Sequence, residues 1–120
     1  MIVSGKEFME KYVKTSSGLL ERVEMEGEVL SRLGSALGKG VYLCVTDEAV
    51  SHYQDDPNST SFSTASLQEE ARIYVKPGSS NMDRVFYRKA SRLYDGLYDP
   101  EEVAYFGLVM YNPNAIKWIG

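Results

Sequence analysis

Cysteine and histidine occur once each in this 120-residue chain, as Cys44 and His52. One thiol cannot close an internal disulfide, and one thiol plus one imidazole do not make a zinc site of the usual ligand types. Cys44 is flanked by Leu43 and Val45, so it reads as a small buried hydrophobe in a reducing compartment. A serine hydrolase would need His52 as its base and a Gly-x-Ser-x-Gly turn, and that turn is missing. No apolar run approaches the ~20 residues of a membrane span. The opening Met1-Ile2-Val3-Ser4-Gly5-Lys6-Glu7 lacks the basic region and apolar stretch of a signal peptide, so a cytoplasmic location is expected. Arg84, Arg88, Lys89 and Arg92 form a local basic group. However, Asp83, Asp95, Asp99, Glu101 and Glu102 surround it in sequence, and the net charge is −4. Nucleic acid is therefore not expected as a partner. Asp55, Asp56, Asn58 and Ser59 lack the glycine and distal glutamate of a calcium loop. Gly38-Lys39-Gly40 lacks the spacing of a phosphate loop.

What is present is ordinary globular material, 43 % apolar and 25 % charged, enough to build one domain over residues 1–120. Phe8, Met9 and Val13 suit a short helix over residues 5–14. Ser16-Ser17-Gly18 then breaks the chain, with Ser17 as an N-cap for a second helix. From Leu19 to Leu37, Val23, Leu30 and Leu33 recur at helical steps, weakened by Gly27. The alternation Val23-Glu24-Met25-Glu26 also fits a strand, and both readings stand. Val41-Tyr42-Leu43-Cys44-Val45 predicts a strand buried on both faces. Thr46 or Asp47 would cap a short helix through Tyr53. Residues 54–66 read as a long polar loop and Leu67 to Ala71 as a helical turn. Strands follow over residues 72–76, 97–98 and 103–111, with a helix over 82–93 and Gly107 marking a bulge or close approach. A helix-rich stretch, residues 1–37, thus precedes a β-rich one, residues 38–120, and the fold class is α+β.

Among the carboxylate pairs, Glu26/Glu28 and Glu69-Glu70 read as solvated. Glu101-Glu102 comes directly before the most hydrophobic strand. A carboxylate there either caps the strand end or meets a sugar hydroxyl with a shifted pKa.

Three segments in order resemble the ADP-ribosyltransferase-like superfamily, in the form carried by phage and mobile-element polyvalent proteins. The first is Gly38-Lys39-Gly40-Val41-Tyr42-Leu43 with Thr46-Asp47-Glu48-Ala49 and Tyr53. The second is Tyr94-Asp95-Gly96-Leu97-Tyr98. The third, and most specific, is Leu108-Val109-Met110-Tyr111-Asn112-Pro113-Asn114-Ala115-Ile116-Lys117. The resemblance implies a split, strongly bent β fold, here with an N-terminal helical segment, holding NAD in a cleft. Lys39, Gly40, Tyr42 and Tyr53 would bind NAD. Tyr42 and an acid, Glu102 or Glu101, would stabilise the ribose as the glycosidic bond breaks. Alignment on Asn112-Pro113 puts Gly107 where relatives carry that acid. The family's His-Gly or Arg on an opening strand is not identified, and His52 follows Tyr42 instead of preceding it. Ser59-Thr60-Ser61 or Phe62-Ser63-Thr64 offers a competing match to a Ser-Thr-Ser strand. The implied activity is transfer of ADP-ribose from NAD to a protein or small target. Two alternatives stand beside it. One is an inactive viral or mobile-element protein that binds and inhibits a host macromolecule in the host cytoplasm, to which nine tyrosines would lend contact area. The other is a structural subunit of a larger particle.

Overall fold

The computed structural model describes residues 1–25, 40–77, 84–102 and 106–120, and the statements below concern these. The chain opens with β1 (Ile2–Ser4) and α1 (Gly5–Lys11). Ser4 caps α1, its Oγ accepting the Glu7 N–H at 3.1 Å, which satisfies one of the orphan donors of the first turn. Phe8 on this short helix is fully buried. Next come β2 (Leu20–Met25), β3 (Val41–Leu43), α2 (Asp47–Gln54), β4 (Ser59–Leu67) and β5 (Arg72–Val75). The chain ends with α3 (Arg84–Leu93), β6 (Gly96–Tyr98), β7 (Leu108–Met110) and β8 (Ile116–Trp118), with 3-10 turns at Pro100–Glu102 and Pro113–Ala115.

These strands make two sheets. One runs β1-β5-β6-β7-β3, the other β2-β4-β8. Only β5 and β6 pair in parallel, with α3 in the connection between them, and the remaining pairs are antiparallel. The sheets are joined where β3 runs out. Cys44 exchanges backbone hydrogen bonds with Glu21 of β2 in both directions, at 2.7 and 3.2 Å. One continuous extended segment therefore pairs with β7 and then with β2, and the sheet splits at that point. The fold is mixed α+β, and no helix among the described residues is long and apolar enough to cross a membrane.

Side chains on successive residues of a strand point to opposite faces. On β7, Leu108 and Met110 join Phe8, Leu43, Ile73 and Tyr98 in one buried cluster. Val109 joins Tyr42, Val50, Leu97 and Phe106 in the other. Covering both faces is what makes the central strands read as unbroken apolar runs.

Three expectations are corrected. Of the two readings kept open from Leu19 onward, the strand holds over residues 20–25, and the remainder to Leu37, with Glu26 and Glu28, lies outside the described residues. Leu20 and Val23 are both buried, but in different clusters on opposite faces. Leu19, on which the helical spacing to Val23 rested, lies in the turn before this strand. The N-terminal region is therefore not helix-rich where it is described. Ser17 caps no helix; its Oγ accepts the Leu19 N–H at 3.2 Å inside the turn before β2. The polar loop of residues 54–66 is mostly strand, because β4 is the middle strand of its sheet and neighbours on both sides satisfy its backbone. Its inward residues reach apolar character only at Ala65 and Leu67.

Candidate functional site

The segment from Gly40 to Tyr53 builds one wall of the site. Thr46 Oγ1 accepts the Ala49 N–H at 3.1 Å and starts α2, as an N-cap does. Ala49, Val50 and Tyr53 fall on the inner side of that helix. Tyr42, opposite Val109 in β7, is only 3 % exposed. Its ring meets Phe106 edge-on at 5.6 Å, while Tyr53 stacks on Phe106 at 4.3 Å and 12°. Phe106 therefore brings together Tyr42 and Tyr53, the two aromatic residues of the first segment. Gly40 precedes β3, and a Cβ there would lie 2.6 Å from the Met110 carbonyl oxygen, so the close pairing with β7 requires glycine. Lys39 lies outside the described residues.

Arg22 of β2 was not identified from the sequence. Its Nη1 donates to the Tyr42 carbonyl at 2.9 Å, and its Nε donates to Glu24 at 3.0 Å. Its side chain is 11 % exposed. The available signal was the strand-like alternation around Val23, which extends back over Arg22. With β2 assigned as a strand, an arginine stands on the strand ahead of Tyr42 and beside it.

The acidic turn sits at the other margin of the same sheet region. Tyr98, the last residue of β6, shares a register row with Leu108 and Leu43, one row from Tyr42. Asp99 then donates its N–H to the Gly107 carbonyl at 2.8 Å. Its Oδ1 accepts the Glu101 N–H at 3.0 Å, and its Oδ2 accepts from Lys76 Nζ at 3.0 Å. Lys76 and Asp99 are 6 % and 3 % exposed. Burial favours the neutral Lys76 amine. The Asp99 hydrogen bond and charge, with Tyr87 and Glu101 adding, nevertheless hold its pKa above the ordinary value. Glu101 is exposed. Glu102 closes the turn, and its side chain lies outside the described part of the structure. Tyr87 of α3 contributes electrostatically at both margins. Its phenol acts on Lys76 and also on Tyr111, whose pKa is pushed up by burial first and then by Tyr42 and Tyr87.

The other two segments of the resemblance meet each other. Asp95 Oδ1 accepts from Asn112 Nδ2 at 2.9 Å, and its Oδ2 accepts the Arg72 N–H at 2.8 Å. Its carbonyl accepts the N–H groups of Tyr111 and Asn112 at 2.8 and 3.0 Å. Asn112 Oδ1 in turn accepts the Asn114 N–H at 3.0 Å. Asp95 thus ties the start of β5, the start of β6 and the end of β7, and its role is to hold the sheet.

Cys44 is fully buried, and its thiol is pushed up to about 12 by desolvation first, with Glu21 adding and Arg22 opposing. That environment opposes the thiolate that a nucleophile requires. An open hollow of about 330 Å³ lies where β2, α2 and β4 meet, lined by Val23, Gln54, Ser59, Thr60, Ser61 and Phe62. The competing Ser-Thr-Ser segment therefore borders a shallow surface, and its Ser59 hydroxyl donates to the Gln54 carbonyl at 3.2 Å. The chain matches no protein-family model, no curated protein and no solved structure.

Proposed function

We propose that this chain is a divergent ADP-ribosyltransferase-like domain that takes NAD where its two sheets part and transfers ADP-ribose to a protein or small target. The observation that carries this reading is the pairing of Arg22 with Tyr42 at the split of the sheet. An arginine on one strand donates to the backbone of a tyrosine on the next, which is the pair of residue types the resemblance implies. In this reading Tyr42, Tyr53 and Phe106 supply aromatic surface for the nicotinamide, and Arg22 supplies a cationic fork for the ribose or pyrophosphate. NAD supplies the glycosidic bond, and its cleavage passes through an oxocarbenium-like state that a nearby carboxylate stabilises.

Gly107 has φ +76° and no side chain to offer, so the acid comes from the Pro100–Glu102 turn. That turn is anchored beside Gly107 by the Asp99 N–H, which supports Glu101 or Glu102 as the acid in this reading. A thermal melt with and without millimolar NAD tests the cleft. Saturation near 100 times the dissociation constant adds about 2.7 kcal/mol. For this size of domain that raises Tm by about ten degrees. Transfer of label from NAD, lost in Glu101→Gln or Glu102→Gln, tests the chemistry.

The second reading is a catalytically inactive interaction protein on the same fold. Two observations favour it: Tyr42 is almost fully covered, and the aligned acid position is a glycine with positive φ. A melt that NAD does not move selects it over the first.

A further inference from the structure

We propose that the outer face of α3 is a docking surface for an acidic, partly apolar polypeptide segment. Val85, Arg88, Lys89 and Arg92 occupy positions i, i+3, i+4 and i+7 of a ten-residue helix, so they form one stripe. All four are exposed, Val85 to 71 %. The opposite side of the helix is the one that packs, with Ala90 buried and Phe86 and Tyr87 set against the second core cluster. Arg72 adds a fourth cation at the C-terminal end. Its Nη1 donates to the Leu93 carbonyl at 3.2 Å, and its guanidinium lies over Tyr94 at 5.6 Å.

Sequence proximity suggested that acids neutralise this group, and the structure removes two of them. Asp95 is turned to the Arg72 N–H and Asn112. Asp99 is buried on Lys76. Among the described residues, the salt bridges are Lys11–Glu7, Arg22–Glu24 and Lys76–Asp99, so none takes Arg88, Lys89 or Arg92. Cations without an ion-pair partner among the described residues, on one face of an otherwise acidic protein, call for an anionic partner. Two features favour a polypeptide over nucleic acid. Exposed Val85 and Leu93, the latter 52 % exposed, flank the cations and need apolar side chains opposite them, which a phosphodiester backbone does not carry. The net charge of −4 also repels a long polyanion, whereas a short segment feels only charges within a Debye length of about 10 Å. This surface is independent of the NAD reading, because it uses none of the residues assigned to NAD.

The test is fluorescence anisotropy with a labelled peptide of Glu-Glu-Leu repeats, a polyglutamate of the same length and a thymidine oligonucleotide. Arg88, Lys89 and Arg92 are all reversed to Glu in one variant and neutralised to Gln in a second, which spares the helix C-terminus an added negative charge. A Lys6→Glu, Lys117→Glu protein serves as control. The parent binds the Glu-Glu-Leu peptide. Reversal weakens binding at least about tenfold, neutralisation weakens it less, and the control stays within about twofold. Val85→Ser weakens binding of the Glu-Glu-Leu peptide and leaves polyglutamate unchanged. The proposal is overturned by a parent protein that does not bind the peptide, or by a folded Gln variant that binds like the parent. An unaffected Val85→Ser variant, or tighter binding of the oligonucleotide than of the peptide, overturns the assignment of a polypeptide partner.

Discussion

Replacing Lys76 by methionine leaves the Asp99 carboxylate buried without its cation. Asp99 keeps the Glu101 N–H as a donor to Oδ1, while Oδ2 loses the ammonium at 3.0 Å. Removing one partner of a buried pair costs about 3–5 kcal/mol, because the remaining charge is stranded away from water. Against a total stability of about 5–15 kcal/mol, that is a large fraction. At this chain length, the loss lowers Tm by about 12–20 °C. Urea denaturation and a thermal melt at neutral pH measure it. The double variant Lys76→Met, Asp99→Leu should recover most of the loss, since an apolar pair of similar volume no longer carries a buried charge. A single variant within about 1 kcal/mol of the parent would refute the reasoning, since measured single-site effects of that size need no buried charge. A double variant no better than the single one would refute it equally.

Further outcomes follow from the same structure. Gly107→Ala should destabilise by about 1–2 kcal/mol in urea, because φ +76° carries that cost for an L-residue. Cys44, fully buried and with its thiol pushed up to about 12, should resist a thiol-labelling reagent in the folded protein and react only as the chain unfolds. Asp47 accepts hydrogen bonds from the Ser16 hydroxyl and from the Ser16 N–H, which lower its pKa below the usual 3.8. Its contribution is present above 3.8 and disappears as pH falls through the lower folded value. Asp47→Asn should therefore be less stable than the parent at pH 7, with the gap closing in acid. Glu21 has the opposite sign. Burial raises its pKa above 4.5, against the Ser17 hydrogen bond and with Asp47 adding. The cost of its charge is absent below 4.5 and complete above the raised value, so Glu21→Gln should gain on the parent as pH rises through that window.

The first segment of the site was largely legible. Thr46 as a cap, the inner side of α2 and the burial of Tyr42 and Cys44 all follow from residues within a dozen positions of one another. β5, β6 and α3 were legible for the same reason, since Pro77-Gly78 and Tyr94-Asp95-Gly96 punctuate them locally. Arg22 was missed because its role depends on the strand assignment of β2. That assignment depends on β4, which begins more than thirty positions later and whose Ser/Thr-rich sequence shows little apolar alternation. β2 was legible only as an open alternative to a helix, and β4 only as a loop.

The sequence by itself determined the mixed α+β class, the approximate positions of its short helices with the Thr46 cap of α2, and the apolar strands at its centre. These are local matters of propensity, periodicity and turn chemistry. The tertiary structure alone decided that β3 leaves one sheet through Cys44 to join Glu21 of the other. It also turned Asp95 and Asp99 inward and left Arg88, Lys89 and Arg92 facing water. Backbone donors and charges are satisfied by whatever the fold brings near them, and distance along the chain does not record which partner that will be.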